Sequence, residues 1–340
     1  MLRRKTAFVF RPAFTLIEIL TATAIMVVLI MIVLTVATQT FNAYDSAIAN
    51  LSTTSESRAV LGPLEQDLQS AIIRNDGHIW MQIEHPNDVG NIIKGAAPKL
   101  MLFSIVPDRQ KRESGTKTKI GGDVCAVCYQ LGQRSPFDNP GELIQQIYGF
   151  YRAIVDAKGT FDVAIPLVTG SLTGAGQDPL NYWNGTGEVL DINGSRTSQS
   201  MNTWATGPQN FQASNVVNIT MVFWYYNPNT KKMEALVHQS LSQKVRDAYN
   251  QSQVDVVVNS YNNGLKIKSG EIIIDNNDAV PLKGTLRRID VSTIILSPDG
   301  AAELRAIQAA EGNSKISQTG FDKIAEEYGK AFSISVPINL

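Results

Sequence analysis

Histidine and cysteine are scarce in this chain, with three of the first and two of the second among 340 residues. His78, His85 and His238 show no ligand spacing, so no zinc site is expected from them. Cys125 and Cys128 form a C-x-x-C within GGDVCAVCYQLG. A redox pair of that spacing opens a helix, whose N-terminus activates the thiolate. The flanking pattern here is that of a strand, which leaves two readings: small buried side chains, or a local disulfide. Neither sign of charge is in excess. The formal net charge is −1, too weak a field to hold nucleic acid, so no nucleic-acid partner is expected. No Walker A loop, dinucleotide glycine fingerprint, H-E-x-x-H or G-x-S-x-G elbow occurs. With no convergent acid, base or nucleophile, neither an enzyme nor a cofactor is expected. Glu326 and Glu327 read as the solvated face of a late helix. Asp275, Asn276, Asn277 and Asp278 read as a turn, oxygen-rich enough for Ca²⁺ but without the spacing of an EF-hand.

Apolar residues are abundant near the N-terminus, in the run RPAFTLIEILTATAIMVVLIMIVLTVA. Nineteen residues from Ile19 to Ala37 carry no charge, and at about 1.5 Å per residue they span the ~30 Å hydrocarbon core of a bilayer. Arg3, Arg4, Lys5 and Arg11 precede the run, which keeps the leader cytoplasmic and sends the remainder outward. A secretory signal has its apolar region before the cleavage site and loses it. Here the small residue Ala13 stands in front of the apolar region, so a chain processed there keeps its hydrophobic helix. Glu18 is an ionisable group at the edge of that helix, and such groups are functional candidates by default.

A basic leader, a small residue and then Phe14-Thr15-Leu16-Ile17-Glu18 before an apolar run resembles the N-terminal signal of type IV pilins and type II secretion pseudopilins. The resemblance covers roughly residues 1–45. It implies cleavage between Ala13 and Phe14 by a prepilin peptidase and N-methylation of the new Phe14 terminus. It also implies a salt bridge between Glu18 and the Phe14 terminus of a neighbouring subunit, an attraction that burial in a fibre strengthens. The partners implied are prepilin peptidase, other pilin or pseudopilin subunits and an inner-membrane assembly machinery. The location implied is the bacterial inner membrane, crossed once, with the body in the periplasm. Ala13 stands where the family usually has Gly, and Thr35 where many major pilins have Pro. Without the leader, 26 basic side chains face 31 acidic ones, a net of −5.

Beyond the apolar run, Leu61, Leu64, Leu68 and Ile72 recur at helical spacing, with Glu65 and Asp67 on the other side. One helix from Phe14 to about Arg74 would be about 90 Å long, with weak points at the Ser/Thr cluster 52–57 and at Gly62-Pro63. SRAVLGPLEQDLQSAI is similar to the helix of J-type minor pseudopilins. Later stretches expected as strands are 100–106, 123–131, 142–155, 215–227, 231–241, 285–296 and the end of the chain. Val217, Ile219, Met221, Phe223 and Tyr225 alternate onto one face, and Phe321, Ile324, Ala325 and Tyr328 mark a late helix. The expected fold class is α+β: a long N-terminal helix, half in the membrane and half soluble, packed on a largely antiparallel sheet. Residues 1–13 read as leader, 14–40 as transmembrane and assembly helix, 41–74 as its soluble half and 75–340 as the β-rich body. Within the body, 169–214 reads as a Gly/Asn/Ser/Thr-rich surface insertion unable to build a core, with Trp183 and Trp204 as candidate contact residues. The pilin-like start, the enlarged β-rich body, the LRRIDVSTIIL strand and the late helix followed by AFSISVPINL together also resemble a group of long pilin-like proteins of the Verrucomicrobia and relatives. The function expected is therefore a minor pilin or pseudopilin, and the alternative is an adhesin or ligand-binding protein on a pilin anchor.

Overall fold

A computed structural model describes residues 15–84, 88–89, 93–94, 98–106, 124–134, 147–170, 179–190, 196–238, 255–259, 264–274, 284–310 and 318–338. The chain divides into two compact units, Met1–Leu51 and Ser52–Leu340. The first helix, α1 (Leu16–Gln69), begins in one unit and ends in the other.

In the first unit α1 is apolar on every side, and its most hydrophobic stretch buries nothing. Large side chains such as Ile25, Leu29 and Val33 stand exposed around the helix. A helix of that kind suits an apolar solvent. It is long and apolar enough to cross a membrane. Threonine is its main polar residue, and the hydroxyls are satisfied locally. Thr21 donates to Ile17 O at 3.0 Å, Thr35 to Met31 O at 2.8 Å, and Thr40 to Val36 O at 2.8 Å. Each hydroxyl thereby finds an acceptor inside its own helix, as a lipid environment requires.

Among the described residues the second unit contains a sheet of twelve hydrogen-bonded strands together with the last turns of α1. In chain order the strands are β1 (Ile79–Glu84), β2 (Lys99–Ser104), β3 (Cys125–Arg134), β4 (Ile147–Val155), β5 (Phe211–Ser214), β6 (Val216–Asn227), β7 (Lys232–His238), β8 (Asp255–Asn259), β9 (Leu265–Lys268), β10 (Glu271–Ile274), β11 (Thr285–Leu296) and β12 (Gly329–Pro337). Neighbours run β8-β7-β6-β11-β10-β9-β1-β2-β3-β4-β5, with β12 added to β11. Among the described residues every pairing in this sheet is antiparallel except β7 with β8. The chain is thus α+β with a large, mainly antiparallel sheet. β5 and β6 are one run of chain interrupted by Asn215, whose φ is 57°. Asn215 donates to Tyr148 O at 2.8 Å, and its carbonyl accepts from Leu296 N at 3.0 Å. A left-handed residue, which Asn tolerates better than most, lets one strand leave β4 and join β11. The succession of strands therefore returns on itself.

Inside that return lies the main core. Val60, Leu61, Leu64 and Leu68 of α1 pack with Met81, Ile83, Leu102, Val127 and Phe150 from one part of the sheet. Met221, Phe223, Ile289 and Val291 come from the other part. The C-terminal end of α1 is a central element of this unit, and the unit boundary falls at Leu51/Ser52. No break occurs at Gly62-Pro63, because the helix is continuous through Pro63. Pro63 withholds one N–H from the ladder, but buried side chains before and after it fix both turns. Val217 also departs from expectation. A register shift between Val216 and Asn218 puts one extra residue in the strand and reverses its side-chain alternation. Val217 therefore packs outward with Leu304, Phe321 and Ile324. Those residues belong to α4 (Pro298–Ala310) and α5 (Gln318–Tyr328). α5 is the late helix expected. α4 was not anticipated, although Ser297-Pro298 is a cap-and-first-turn signal and Ser297 Oγ accepts from Gly300 N at 3.2 Å.

The segment 169–214 is not a plain surface loop. It contains α2 (Pro179–Asn184), a two-stranded ladder Thr186–Leu190 with Arg196–Ser200, α3 (Met201–Ala205) and β5. Trp183 is 1% exposed and Trp204 8%, their rings stacked at 6.4 Å. They roof the opposite face of β1–β4 with Trp80, Met101, Phe103 and Ala153. The segment's few aromatic residues supply large buried areas each, which a count of aliphatic residues overlooks.

Candidate functional site

The residues that open α1 form a small polar site. Thr15 is the N-cap: its carbonyl accepts from Glu18 N at 3.1 Å and Ile19 N at 3.3 Å. Glu18 reaches back, and its Oε2 accepts from Thr15 N and Thr15 Oγ1, both at 2.9 Å. A carboxylate at the third helical position bonded to the N-cap N–H is half of a capping box, and it also meets the positive end of the helix dipole. The T-x-x-E spacing of Thr15 and Glu18 carries this signal, which the apolar run beside it obscures. Both bonds go to one carboxylate oxygen. Among the described residues Oε1 accepts none. Ala13 and Phe14, the expected processing pair, lie outside the described residues, as does the Asp275–Asp278 turn.

A second polar site lies in the body. Asp67, in the last turns of α1, is 1% exposed and faces inward rather than lying on the polar side of the helix with Glu65. It follows Leu64 by three residues, so it shares the buried stripe. Arg152 of β4 grips it with both arms, Nε to Oδ2 at 2.9 Å and Nη2 to Oδ1 at 2.9 Å. Tyr129 of β3 donates its hydroxyl to the same Oδ2. Burial, then the neighbouring carboxylate, holds the Tyr129 phenol well above its ordinary range. It therefore stays a donor at every physiological pH. Ser104 Oγ donates to Asp67 O at 3.1 Å and shares a 2.8 Å bond with Ser70 Oγ. About three turns earlier in the helix, Glu56 accepts from Ser214 N at 2.9 Å and Ser214 Oγ at 2.7 Å. These groups tie α1 to β2, β3, β4 and β5. No sequence pattern pairs Asp67 with residues 62 and 85 positions away; only the fold does.

Cys125 and Cys128 are buried and are not joined in a disulfide. Cys125 belongs to the main core and Cys128 to the opposite one, since residues three apart on a strand point to opposite faces. Of the two sequence readings, the buried-residue one describes the structure. Burial pushes the Cys128 thiol up to about 12, so it is unreactive at neutral pH. Among the described residues no three His, Cys, Asp or Glu side chains stand together to hold a metal.

The architecture and these sites define an α+β protein that carries a membrane-length N-terminal helix on a strand-rich body. Comparison with protein-family models, with curated proteins and with solved structures finds no match for this chain.

Proposed function

We propose that this protein is a minor pilin or pseudopilin, a structural subunit of a type IV pilus or type II secretion pseudopilus. The observation that carries the reading is the sequence Ala13-Phe14-Thr15-Leu16-Ile17-Glu18 at the head of a single helix. That helix is unpartnered and apolar in its first half, and in its second half it is a core element of a folded body. A fibre held by apolar helices needs both properties in one element. Glu18 supports the reading further, because a carboxylate with a spare oxygen at the helix start can receive a neighbour's Phe14 ammonium. On this reading prepilin peptidase cuts after Ala13, the new terminus is N-methylated, and the helix leaves the inner membrane to join a periplasmic or surface filament. Trp183 and Trp204, the candidate contact residues, are both buried, so they give no exposed surface in support of the alternative, an adhesin on a pilin anchor.

The test is mass spectrometry of the N-terminus of the chain purified from membranes of a host that has prepilin peptidase. The expected N-terminal residue is N-methyl-Phe14. A chain that still begins at Met1 would remove the proposal.

A further inference from the structure

Lys99 is a buried cation, and its surroundings have a chemistry beyond charge neutralisation. It opens β2 and is 5% exposed. Its side chain lies on the face roofed by Trp80, Met101, Tyr182, Trp183 and Met201. Nζ donates to Asn184 Oδ1 at 2.9 Å and to Asn202 Oδ1 at 3.5 Å. Asn184 ends α2 and Asn202 lies in α3, so the roof delivers both amides to one amine. Directly across the ladder from Lys99 stands Glu84 of β1, its register partner. Side chains of an antiparallel pair in register share a face, with Cβ atoms about 5 Å apart. The Cys128 thiol feels both charges, Lys99 drawing its pKa down and Glu84 pushing it up, beneath the larger upward effect of burial.

The amine and the carboxamide, in hydrogen-bond contact at the edge of an apolar core with a carboxylate on the neighbouring strand, form a reactive set. We propose that Lys99 and Asn184 become joined by an amide between their side chains, with Glu84 as the proton carrier. Glu84 takes one proton from the Lys99 ammonium, and the freed lone pair of Nζ attacks Cγ of Asn184. As the tetrahedral carbon collapses, the second proton of Nζ moves to the departing nitrogen and the Cγ–Nδ2 bond breaks. The ammonia takes the proton held by Glu84 and leaves as ammonium, which restores the carboxylate. Lysine ammonium and asparagine amide thus become one secondary amide and one ammonium ion, with no oxidant or cofactor. The hydrogen bond from Nζ to Oδ1 holds the amine beside the carbonyl whose carbon it attacks, the proximity such reactions need. Asn202 holds the amine in place, and Asn184 is exposed on its outer side, which gives the ammonium a way out. The reaction also ends the desolvation cost of a buried ammonium. The bond closes a loop of 85 residues and ties α2 to β2, which constrains the unfolded chain much as a disulfide does.

The inference does not depend on the filament reading, and its test reads a different bond. The full chain in detergent is denatured and weighed beside Asn184→Ala, then digested with trypsin. The expected result for the native sequence is a deficit of one ammonia. No cleavage follows Lys99, and one branched peptide carries both Lys99 and Asn184. On a denaturing gel the looped chain runs ahead of Asn184→Ala, and Glu84→Gln regains the full mass and the slower mobility. Cleavage after an unmodified Lys99 would overturn the proposal. So would an ammonia deficit confined to the Asn184–Gly185 peptide, which is a succinimide. The native chain decides the matter even if either variant fails to fold.

Discussion

Replacing Asp67 by alanine would leave the Arg152 guanidinium buried without its counter-charge and take an acceptor from Tyr129. Breaking a buried pair from one side costs about 3–5 kcal/mol, so denaturant unfolding of Asp67→Ala should show a loss of that size. Glu234 makes a second residue-scale prediction. It is 5% exposed and accepts from Tyr225 Oη at 2.6 Å, Thr230 Oγ1 at 2.7 Å and Asn227 Nδ2 at 3.0 Å. Burial alone would raise its pKa. The hydrogen bonds of Tyr225, Thr230 and Asn227 and the charge of Lys232 outweigh burial and leave it below its ordinary 4.5. A depressed carboxylate contributes stability that is complete above 4.5 and is lost as pH falls through the folded value. Glu234→Gln should therefore be less stable at neutral pH, and its stability should fall less steeply with acid below 4.5. An equally steep acid limb in the variant would contradict this.

At the scale of the element, α1 is one helix whose first part is exposed and whose last turns are buried in the core of the body. Leu64 is fully buried in the main core and Leu29 is exposed. Truncating a buried leucine costs about 2–5 kcal/mol. Leu64→Ala should thus lower the stability of the body by that amount when the chain is unfolded in detergent. Leu29→Ala should change it by less than about 0.5 kcal/mol, as for surface positions. A comparable loss in both would mean that the first half of the helix also carries the body's stability. Much of this element was legible in the sequence, since an unbroken apolar run and leucines three and four apart have few other uses. Asp67 was not, because its spacing fits the buried stripe while its charge argues against it. Only a guanidinium brought by β4 makes that burial tolerable.

For the molecule as a whole, the division at Leu51/Ser52 makes a prediction about where the chain can be cut. A fragment from Ser52 keeps Val60, Leu64, Asp67 and Leu68 and should be soluble and fold cooperatively. A fragment from residue 75 lacks the helix that fills the core and should expose apolar surface, read by dye binding and by loss of a cooperative melt. Equal folding by both fragments would show the helix to be dispensable. The sequence by itself determined the apolar helix, the α+β class and seven of the twelve strands of the large sheet, because each rests on local periodicity or on a run of one residue type. The cross-strand meetings were left to the tertiary structure. It decided that the strands return on themselves at Asn215, that Val217 turns outward at a bulge, and that Trp183 and Trp204 roof a second core. It also decided that Lys99 meets Asn184. Contacts between residues far apart in the chain depend on register and topology, which local periodicity does not encode.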